Sequence, residues 1–345
     1  MRPRLPSTIQ IVRGLLLLLL PLGGSAANAE SYLERAELRA FIDEMVARHD
    51  FARPALVELF TQVRPRPEIV KAISNPAEGK PWHEYRRIFL TESRIEGGLE
   101  FWARHQALLD RAEREFGVPA EIIVAIIGIE TRYGRYRGKF PVIEALATLA
   151  FDYPKRSKFF RSELEQYLLL TREEGIDPMS LNGSYAGAMG GPQFISSSYR
   201  RYAVDFDGDG RRDLWESDAD IIGSVANYFA VHGWRTGDRI VVPATVPGPQ
   251  ADGLPQMGLK PEHSVERLRQ LGVVAEGEVD DDAMATVVAL EQPDGHDYWL
   301  GLHNFYVITR YNHSALYAMA AYQLSREIAA RRADQVARSA NGGKG

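Results

Sequence analysis

Glu130 is the residue of this sequence best placed for acid–base chemistry. It follows residues 122–129, which are apolar on nearly every helical face, so we expect a buried helix that Gly134 ends in the left-handed conformation. Ile126 and Gly134 stand four positions away on either side, so no helical neighbour can form an ion pair with the carboxylate. Burial and the negative end of the helix dipole both favour the protonated form, which a general acid requires. The alternative is a structural Glu that is paired with a distant Arg.

An acidic loop over residues 205–216 has the spacing of an EF-hand calcium loop. Carboxylates stand at loop positions 1, 3, 5 and 12, and Gly210 stands at position 6, where the backbone turns sharply. The pattern predicts these Ca²⁺ ligands: Asp205, Asp207, Asp209, the carbonyl of Arg211, a water held by Asp213, and bidentate Glu216. Such hard oxygen ligands favour Ca²⁺ over a transition metal. Arg212 replaces the aliphatic residue usual in paired EF-hands and no second loop follows, so we predict one structural site. The alternative is a solvated acidic turn.

A glycine-rich segment over residues 182–194 would let backbone approach a ligand closely. No Gly-Lys-Ser/Thr follows it, so the spacing is not that of a phosphate-binding loop. Ser184 and Gln193 could hydrogen-bond a neutral ligand such as a sugar, and the alternative is a plain loop packed on a helix. Basic clusters at 135–139 and 155–158 flank the candidate site, either to recognise substrate carboxylates or as solvated charged faces.

Residues 1–29 have the features of a secretory signal peptide. They comprise Arg2, Arg4 and Arg13, a leucine run at 15–20, and a small-x-small cleavage site at Ala27-Asn28-Ala29. The alternative is a retained membrane anchor, for which the apolar run is short. Loss of the three arginines would take the net charge from −5 to −8, which argues against a nucleic acid partner. The chain has no cysteine, which excludes disulfides, thiol catalysis and a lipid on an N-terminal Cys.

Helical periodicity dominates the chain outside one segment. It predicts helices over 31–74, 99–116, 119–134, 143–149, 155–171, 199–204, 221–229 and 314–332. Residues 239–246 and 285–290 have strand character, and 292–295 form a turn signal. We therefore predict a mainly α (α+β) protein with a helical domain and core over 30–235, a small β-containing insertion over 236–304, a helical return over 305–335 and a disordered tail over 336–345.

Five motifs, in order, resemble the lytic murein transglycosylase B family. They are GIETRYG at 128–134, FDYPKR at 151–156, AGAMGGPQF at 186–194, GSVANYF at 223–229 and RYNHS at 310–314. The resemblance covers about residues 31–332. It implies a lysozyme-like core, a surrounding helical domain, a small β domain and one calcium loop, with no organic cofactor. One departure is Gly191-Pro192, where many relatives carry Tyr-Gly before the Gln.

The resemblance also implies a reaction and its residues. The reaction is cleavage of the β-1,4 bond between N-acetylmuramic acid and N-acetylglucosamine in peptidoglycan, which leaves a 1,6-anhydro end, with Glu130 as the acid/base. Substrate contacts carry over onto Tyr85, Arg156, Ser184, Gln193, Tyr228, Tyr311, Asn312 and Tyr317. Relatives are often lipoproteins, whereas the missing Cys argues that this protein is soluble in the periplasm. We expect a monomer, for which cell-wall synthases are candidate partners.

No second carboxylate stands out as a nucleophile or base for Glu130. Glu144 is predicted to be helical and exposed, and the loop carboxylates are committed to the metal. A single-acid mechanism fits, in which Glu130 protonates the leaving oxygen and then accepts the proton of the sugar's own 6-hydroxyl, whose intramolecular attack outcompetes water. Two alternatives stay open: a hydrolytic muramidase, and a non-catalytic, calcium-stabilised peptidoglycan-binding protein.

Overall fold

The computed structural model describes residues 32–74, 79–246 and 257–342, so the predicted signal segment lies outside the described residues. The helices are α1 (Ala36–His49), α2 (Arg53–Gln62), α3 (Pro67–Ile73), α4 (Trp82–Phe89), α5 (Glu92–Arg104), α6 (Gln106–Phe116), α7 (Ala120–Thr131), α8 (Val142–Asp152), α9 (Ser157–Glu174), α10 (Ser196–Tyr202), α11 (Asp218–Val231), α12 (Val265–Gln270), α13 (His303–Tyr311) and α14 (Ala315–Gly342). The strands are β1 (Phe140–Pro141), β2 (Asn182–Gly183), β3 (Val241–Thr245), β4 (His263–Ser264), β5 (Val274–Ala275), β6 (Met284–Gln292) and β7 (Gly295–Gly301).

Helix α7 lies at the centre of the hydrophobic core. Every residue from 122 to 129 is buried, as its all-round apolar sequence predicts. Helices α5, α6, α11 and α14 pack against it, so the end of the chain returns to the helix that carries Glu130. No helix in the described part of the chain combines the length and apolar character that a membrane span requires.

The β-containing region is an antiparallel sheet with strand order β4-β6-β7-β3-β5. Strands β6 and β7 form a hairpin that closes between Gln292 and Gly295, where the sequence carries its turn signal, and Gly295 takes a φ of 138°. This sheet has a small core of its own: Val242, Ala244, Val265, Leu268, Val273, Ala285, Leu300 and Leu302. Helix α4 packs against β6 and thereby joins the sheet to the helical body.

Several boundaries differ from the sequence predictions. The helix predicted over 99–116 is two helices, α5 and α6, because His105 leaves the helical conformation at φ −114° and ψ 23°. The sequence analysis did not predict helices α4 and α12 or strands β1, β2, β4, β5 and β7. Helix α14 continues to Gly342, so the disordered tail predicted from 336 is helical as far as the chain is described, in keeping with its Ala, Arg and Gln content.

Candidate active site

Helix α7 ends at Thr131, three residues before the predicted stop at Gly134. Arg132 and Tyr133 already take the left-handed conformation, with φ values of 49° and 60°, and Gly134 follows at 83°. Residues other than glycine are strained in this region, so packing around the helix end must compensate. Glu130 thus occupies the last complete turn before an abrupt change of chain direction.

The side chain of Tyr133 provides that packing. Its ring lies against three glycines, because a Cβ added at Gly97, Gly98 or Gly128 would come within 2.8, 2.7 or 2.5 Å of it. The Tyr133 hydroxyl donates a hydrogen bond to the carbonyl of Arg94 at 2.7 Å. The glycines therefore admit the ring between α5 and α7 and hold the helix end in place.

Glu130 has one hydrogen-bonding partner among the described residues. Its Oε1 accepts a hydrogen bond from the hydroxyl of Tyr317 at 2.5 Å. Burial raises the pKa of Glu130 from 4.5 to about 7, and the bond from Tyr317 offsets only part of that rise. No Lys, Arg or His of the described residues forms an ion pair with it, which contradicts the alternative of a distant Arg. The carboxyl is therefore poised to give up and recover a proton near neutral pH.

Tyrosines from three helices form one side of the site. Tyr311 and Tyr317 are parallel, with ring centroids 6.5 Å apart and 7° between planes, and Tyr228 lies 4.8 Å from Tyr311. Tyr311 donates a hydrogen bond to the carbonyl of Pro192 at 2.7 Å. Burial, and after it the charge of Glu130, raises the pKa of both Tyr311 and Tyr317 well above 10, so both remain hydrogen-bond donors.

The glycine-rich segment is held by its own polar side chains. The Ser184 Oγ accepts hydrogen bonds from the backbone N–H groups of Ala186 at 3.2 Å and Ala188 at 3.0 Å. Gln193, at a φ of 52°, donates from Nε2 to the carbonyl of Gly190 at 2.9 Å. The Ser184 hydroxyl proton and the Gln193 Oε1 have no partner among the described residues and remain available to a ligand.

Thr131 ties this segment to the Glu130 helix, which the sequence analysis missed. Its hydroxyl lies 3.2 Å from the carbonyls of both Ile127 and Gly191, and it accepts a bond from the N–H of Gly134 at 3.0 Å. A Thr in the last turn of a helix gives no sequence signal that distinguishes such a contact. The glycine segment is therefore fixed relative to the acid.

The three other predicted contacts, Tyr85, Asn312 and Arg156, differ in burial and surroundings. Tyr85 on α4 is buried. Burial raises the pKa of Tyr317, and the charges of Glu130, Tyr311 and Tyr85 raise it further, so Tyr85 lies on the same side of the site as Tyr317. Asn312 is half-buried directly after Tyr311. Arg156 is exposed, and its guanidinium lies 4.3 Å from the ring centroid of Phe159.

The prediction that Glu144 is exposed is wrong. It is buried on α8, and its carboxylate accepts hydrogen bonds from the side chain of Arg66 at 2.6 Å and the backbone N–H of Arg64 at 3.2 Å. These partners come from the segment before α3, which covers α8. Glu144 is thus a paired structural carboxylate. Within the described residues, no second carboxylate lies within hydrogen-bonding distance of Glu130.

The acidic loop gathers three of its predicted ligands. Carboxylate oxygens of Asp205, Asp207 and Asp209 lie within 4.8 Å of one another and are exposed. Asp205 accepts backbone N–H bonds at 2.7 to 3.1 Å, including one from Gly210, whose φ is 88°. This set of hard, anionic oxygens on a preformed turn fits Ca²⁺. The side chain of Glu216 is 81% exposed and lies 3.4 Å from Arg137, outside the cluster.

The peptide of Arg211 continues the turn at the position predicted to offer a carbonyl, and its N–H donates to Asp209 at 2.8 Å. Asp220, which the sequence analysis missed, joins the two ends of the loop by hydrogen bonds. It is buried and accepts hydrogen bonds from the N–H groups of Phe206 and Asp213, both at 2.7 Å. Ser217, which caps α11 three residues earlier, gives the only sequence signal for it.

Comparison with known proteins agrees with this architecture. The family model described as "Transglycosylase SLT domain" matches residues 34–326. The chain is 44% identical over 318 residues to the membrane-bound lytic murein transglycosylase B of Escherichia coli (strain K12), with 89% of this chain and 85% of that protein covered.

Two solved structures are similar over most of their length. The soluble lytic transglycosylase SltB1 from Pseudomonas aeruginosa is 50% identical, with a TM-score of 0.82 over 86% of this chain and 99% of that one. The Escherichia coli lytic transglycosylase Slt35, solved in complex with calcium, is 44% identical, with a TM-score of 0.81 over 88% and 95%. The predicted fold class, mainly α with a lysozyme-like core and a small β-containing insertion, is confirmed. The chain belongs to the lytic murein transglycosylase B family, whose members are lytic transglycosylases that carry the transglycosylase SLT domain.

Proposed function

We propose that this protein cleaves the β-1,4 bond between N-acetylmuramic acid and N-acetylglucosamine in peptidoglycan and leaves a 1,6-anhydromuramic acid end. The observation that carries the proposal is the setting of Glu130, a carboxyl whose pKa burial raises to about 7. A hydrolase of the two-carboxylate type needs a second Asp or Glu about 5 to 9.5 Å from the first. Among the described residues, the hydrogen bond from Tyr317 accompanies burial in setting the pKa of Glu130, and the charge of a second carboxylate does not contribute to it.

One carboxyl serves both proton transfers in this mechanism. Protonated Glu130 gives its proton to the glycosidic oxygen as the bond from that oxygen to the muramic C1 breaks, and the muramic N-acetyl group stabilises the cationic centre. The ionised Glu130 then takes the proton of the 6-hydroxyl while the 6-hydroxyl oxygen bonds to C1. The hydroxyl of Tyr317 donates to the same carboxyl and stabilises its ionised form between the two steps. Because the attack is intramolecular, it benefits from a high effective concentration.

The mass of the product tests this proposal. Purified sacculi digested by the wild-type protein should yield muropeptides that are lighter by one water than the hydrolytic products and resist borohydride reduction, since an anhydro ring has no free anomeric carbon. Reducible ends as the main product would mean that water is the acceptor, and the hydrolytic muramidase would replace the present proposal. Binding of sacculi without any cleavage would favour the non-catalytic scaffold.

We also propose that residues 205–216 bind one structural Ca²⁺. The clustered carboxylates of Asp205, Asp207 and Asp209 support it, as does the calcium complex of Slt35. Asp205, Asp207, Asp209 and the carbonyl of Arg211 would hold the ion. Glu216 would have to leave Arg137 to complete the set. The bound ion would tie the loop to α11 and supply no chemistry to the sugar.

Finally, we propose that the chain is exported, released as a soluble monomer in the periplasm, and able to meet cell-wall synthases there. The basic, leucine-rich and small-residue features of residues 1–29 support export, and the missing Cys argues against a lipid anchor. Osmotic shock should release a protein that begins at Glu30. Full-length chain in the membrane fraction would contradict this location.

A further inference from the structure

A cavity of about 370 Å³ opens beside Glu130 on the side of the helix end. Its lining is Arg94, Ile129, Glu130, Thr131, Arg132 and Tyr136. Two of these side chains are guanidinium cations. Glu130 is the only acid that the described residues contribute to the lining, and it is largely uncharged below pH 7 because burial raises its pKa to about 7. The cavity therefore carries a net positive charge next to the reacting group.

Arg94 is the fixed cation of this cavity. It is 5% exposed, and its guanidinium donates from Nε to the carbonyl of Gly128 at 3.0 Å and from Nη1 to the carbonyl of Ile88. These carbonyls lie in the last turns of α7 and α4, so Arg94 holds the two helix ends together. Its Nη2 has no hydrogen-bond partner among the described residues and is not sealed from solvent, so two N–H groups stay available at the cavity wall.

Arg132 is the second cation. It is exposed, and its guanidinium lies 5.3 Å from the ring centroid of Tyr136, a contact that favours this position. Burial, and after it the charge of Arg132, lowers the pKa of Arg94, which indicates that the two guanidinium groups lie close enough to repel each other. Neither forms an ion pair with any Asp or Glu of the described residues. A carboxylate placed between them would remove that repulsion and form charge-assisted hydrogen bonds.

We propose that Arg94 and Arg132 form a subsite for a carboxylate carried by the muramic acid substituent of the glycan strand. This deepens the proposed function and rests on it for the identity of the ligand. A ligand in the cavity lies against Glu130, so a carboxylate bound there would fix the muramic unit relative to the acid. Two parts of peptidoglycan offer this chemistry: the peptide stem, and the lactyl group that carries it once the stem has been removed.

Calorimetric binding with the Glu130→Gln protein separates the subsite from catalysis. The probes are a soluble tetrasaccharide with free-acid stems, the same tetrasaccharide with its carboxylates converted to methylamides, and a stem-free tetrasaccharide that keeps the lactyl carboxylates. Adding Arg132→Gln should weaken binding of the free-acid probe about tenfold to a hundredfold, the range for losing a hydrogen bond to a charged group. It should leave binding of the methylamide probe unchanged.

Arg114→Gln is the matched control, because Arg114 is an exposed Arg on α6 outside the cavity. It loses the same charge and should not change binding of any probe. Arg94→Lys keeps the charge but loses the planar pair of N–H donors. If this variant has the same melting temperature as its parent, it should bind the free-acid probe more weakly and the methylamide probe equally well. A penalty for Arg132→Gln with the free-acid probe assigns the stem. A penalty with the stem-free probe alone assigns the lactyl carboxylate, because the lactyl carboxyl is an amide while the stem is attached.

Equal affinity of the parent and the Arg132→Gln variant for both the free-acid probe and the stem-free probe would overturn the subsite. An equal loss with the methylamide probe would overturn it too, because the loss would then owe nothing to carboxylate charge. These binding outcomes are independent of the anhydro product of the wild-type protein, so failure of the subsite and failure of the transglycosylase proposal can be told apart.

Discussion

Glu130 and the acidic loop use the same functional group in opposite surroundings. Glu130 stands alone at the end of a buried helix, and burial raises its pKa to about 7. Asp205, Asp207 and Asp209 are crowded together but exposed, and a hydrogen bond from Ser217 holds the pKa of Asp207 below its usual value. Solvent access and local donors therefore decide whether a carboxyl exchanges protons or stays ionised for a cation. The following experiments test this difference, beginning with the largest expected effect.

Replacing Glu130 with Gln should have the largest effect. The amide keeps the shape and can still accept a hydrogen bond from Tyr317, but it cannot give and then recover a proton. Loss of general acid–base catalysis typically costs about a hundredfold to ten-thousandfold, and here one residue serves both steps. Release of muropeptides from sacculi should therefore fall to near background.

Stability supplies the control for that variant. In the wild type, the folded state favours the neutral Glu130, so this stabilisation is fully present below pH 4.5 and is lost as pH rises through about 7. The Gln variant has no such loss, and at pH 8 its free energy of unfolding should exceed that of the wild type by up to roughly 3 kcal/mol. A variant that is inactive and also less stable at pH 8 would contradict the proposed environment of Glu130.

Removal of calcium should act on stability. A chelator should lower the melting temperature of the wild type, since a ligand at a hundredfold its Kd stabilises the native state by about 2.7 kcal/mol. Asp209→Asn should abolish the response, whereas Asp334→Asn, an exposed carboxylate on α14, should keep it. Glu216→Gln sharpens the test: a full loss means that Glu216 moves to the ion, and a partial loss means that it stays beside Arg137. An unchanged wild-type melting temperature in chelator would exclude a functioning site.

The smallest expected effect belongs to Tyr317→Phe. The hydrogen bond from Tyr317 lowers the pKa of Glu130, so its removal should raise that pKa above about 7. The alkaline limb of the kcat/KM profile should move to higher pH, because the general acid stays protonated longer, and the maximum should fall about tenfold as a charge-assisted bond is lost. Tyr322→Phe makes the same change on the same helix away from Glu130. A limb that does not move would show that Tyr317 does not act on the acid.

Local patterns in the sequence were enough to predict the buried helix that carries Glu130 and the clustered carboxylates of the acidic loop. The apolar run of α7 and the spacing of residues 205–216 each lie within one short segment, so their periodicity is visible without tertiary information. The apolar character of α8 is equally visible, because residues 142–150 are all buried. An apolar helix predicts burial of Glu144 just as it predicts burial of Glu130, so the prediction that Glu144 is exposed disregarded the sequence around it.

Contacts between distant segments could not be predicted in this way. Arg66 lies 78 residues before Glu144, and Asp220 joins two backbone N–H groups that no local pattern connects. Tyr317 was named through the family resemblance alone, since nothing in helix α14 itself indicates Glu130. The left-handed turn at Arg132 and Tyr133 depends in part on Gly97 and Gly98 of α5, a contact that sequence spacing does not reveal.

The bond between Tyr317 and Glu130 spans 187 residues of sequence. A chain growing on the ribosome thus carries its acid long before the hydroxyl that holds that acid has been synthesised. Helix α14 packs along α7, so the step that completes the core also brings Tyr317 to Glu130. Contacts of such sequence separation are costly in loop entropy and tend to form late in folding. An incomplete chain therefore contains Glu130 but lacks the hydrogen bond from Tyr317 that positions its carboxyl.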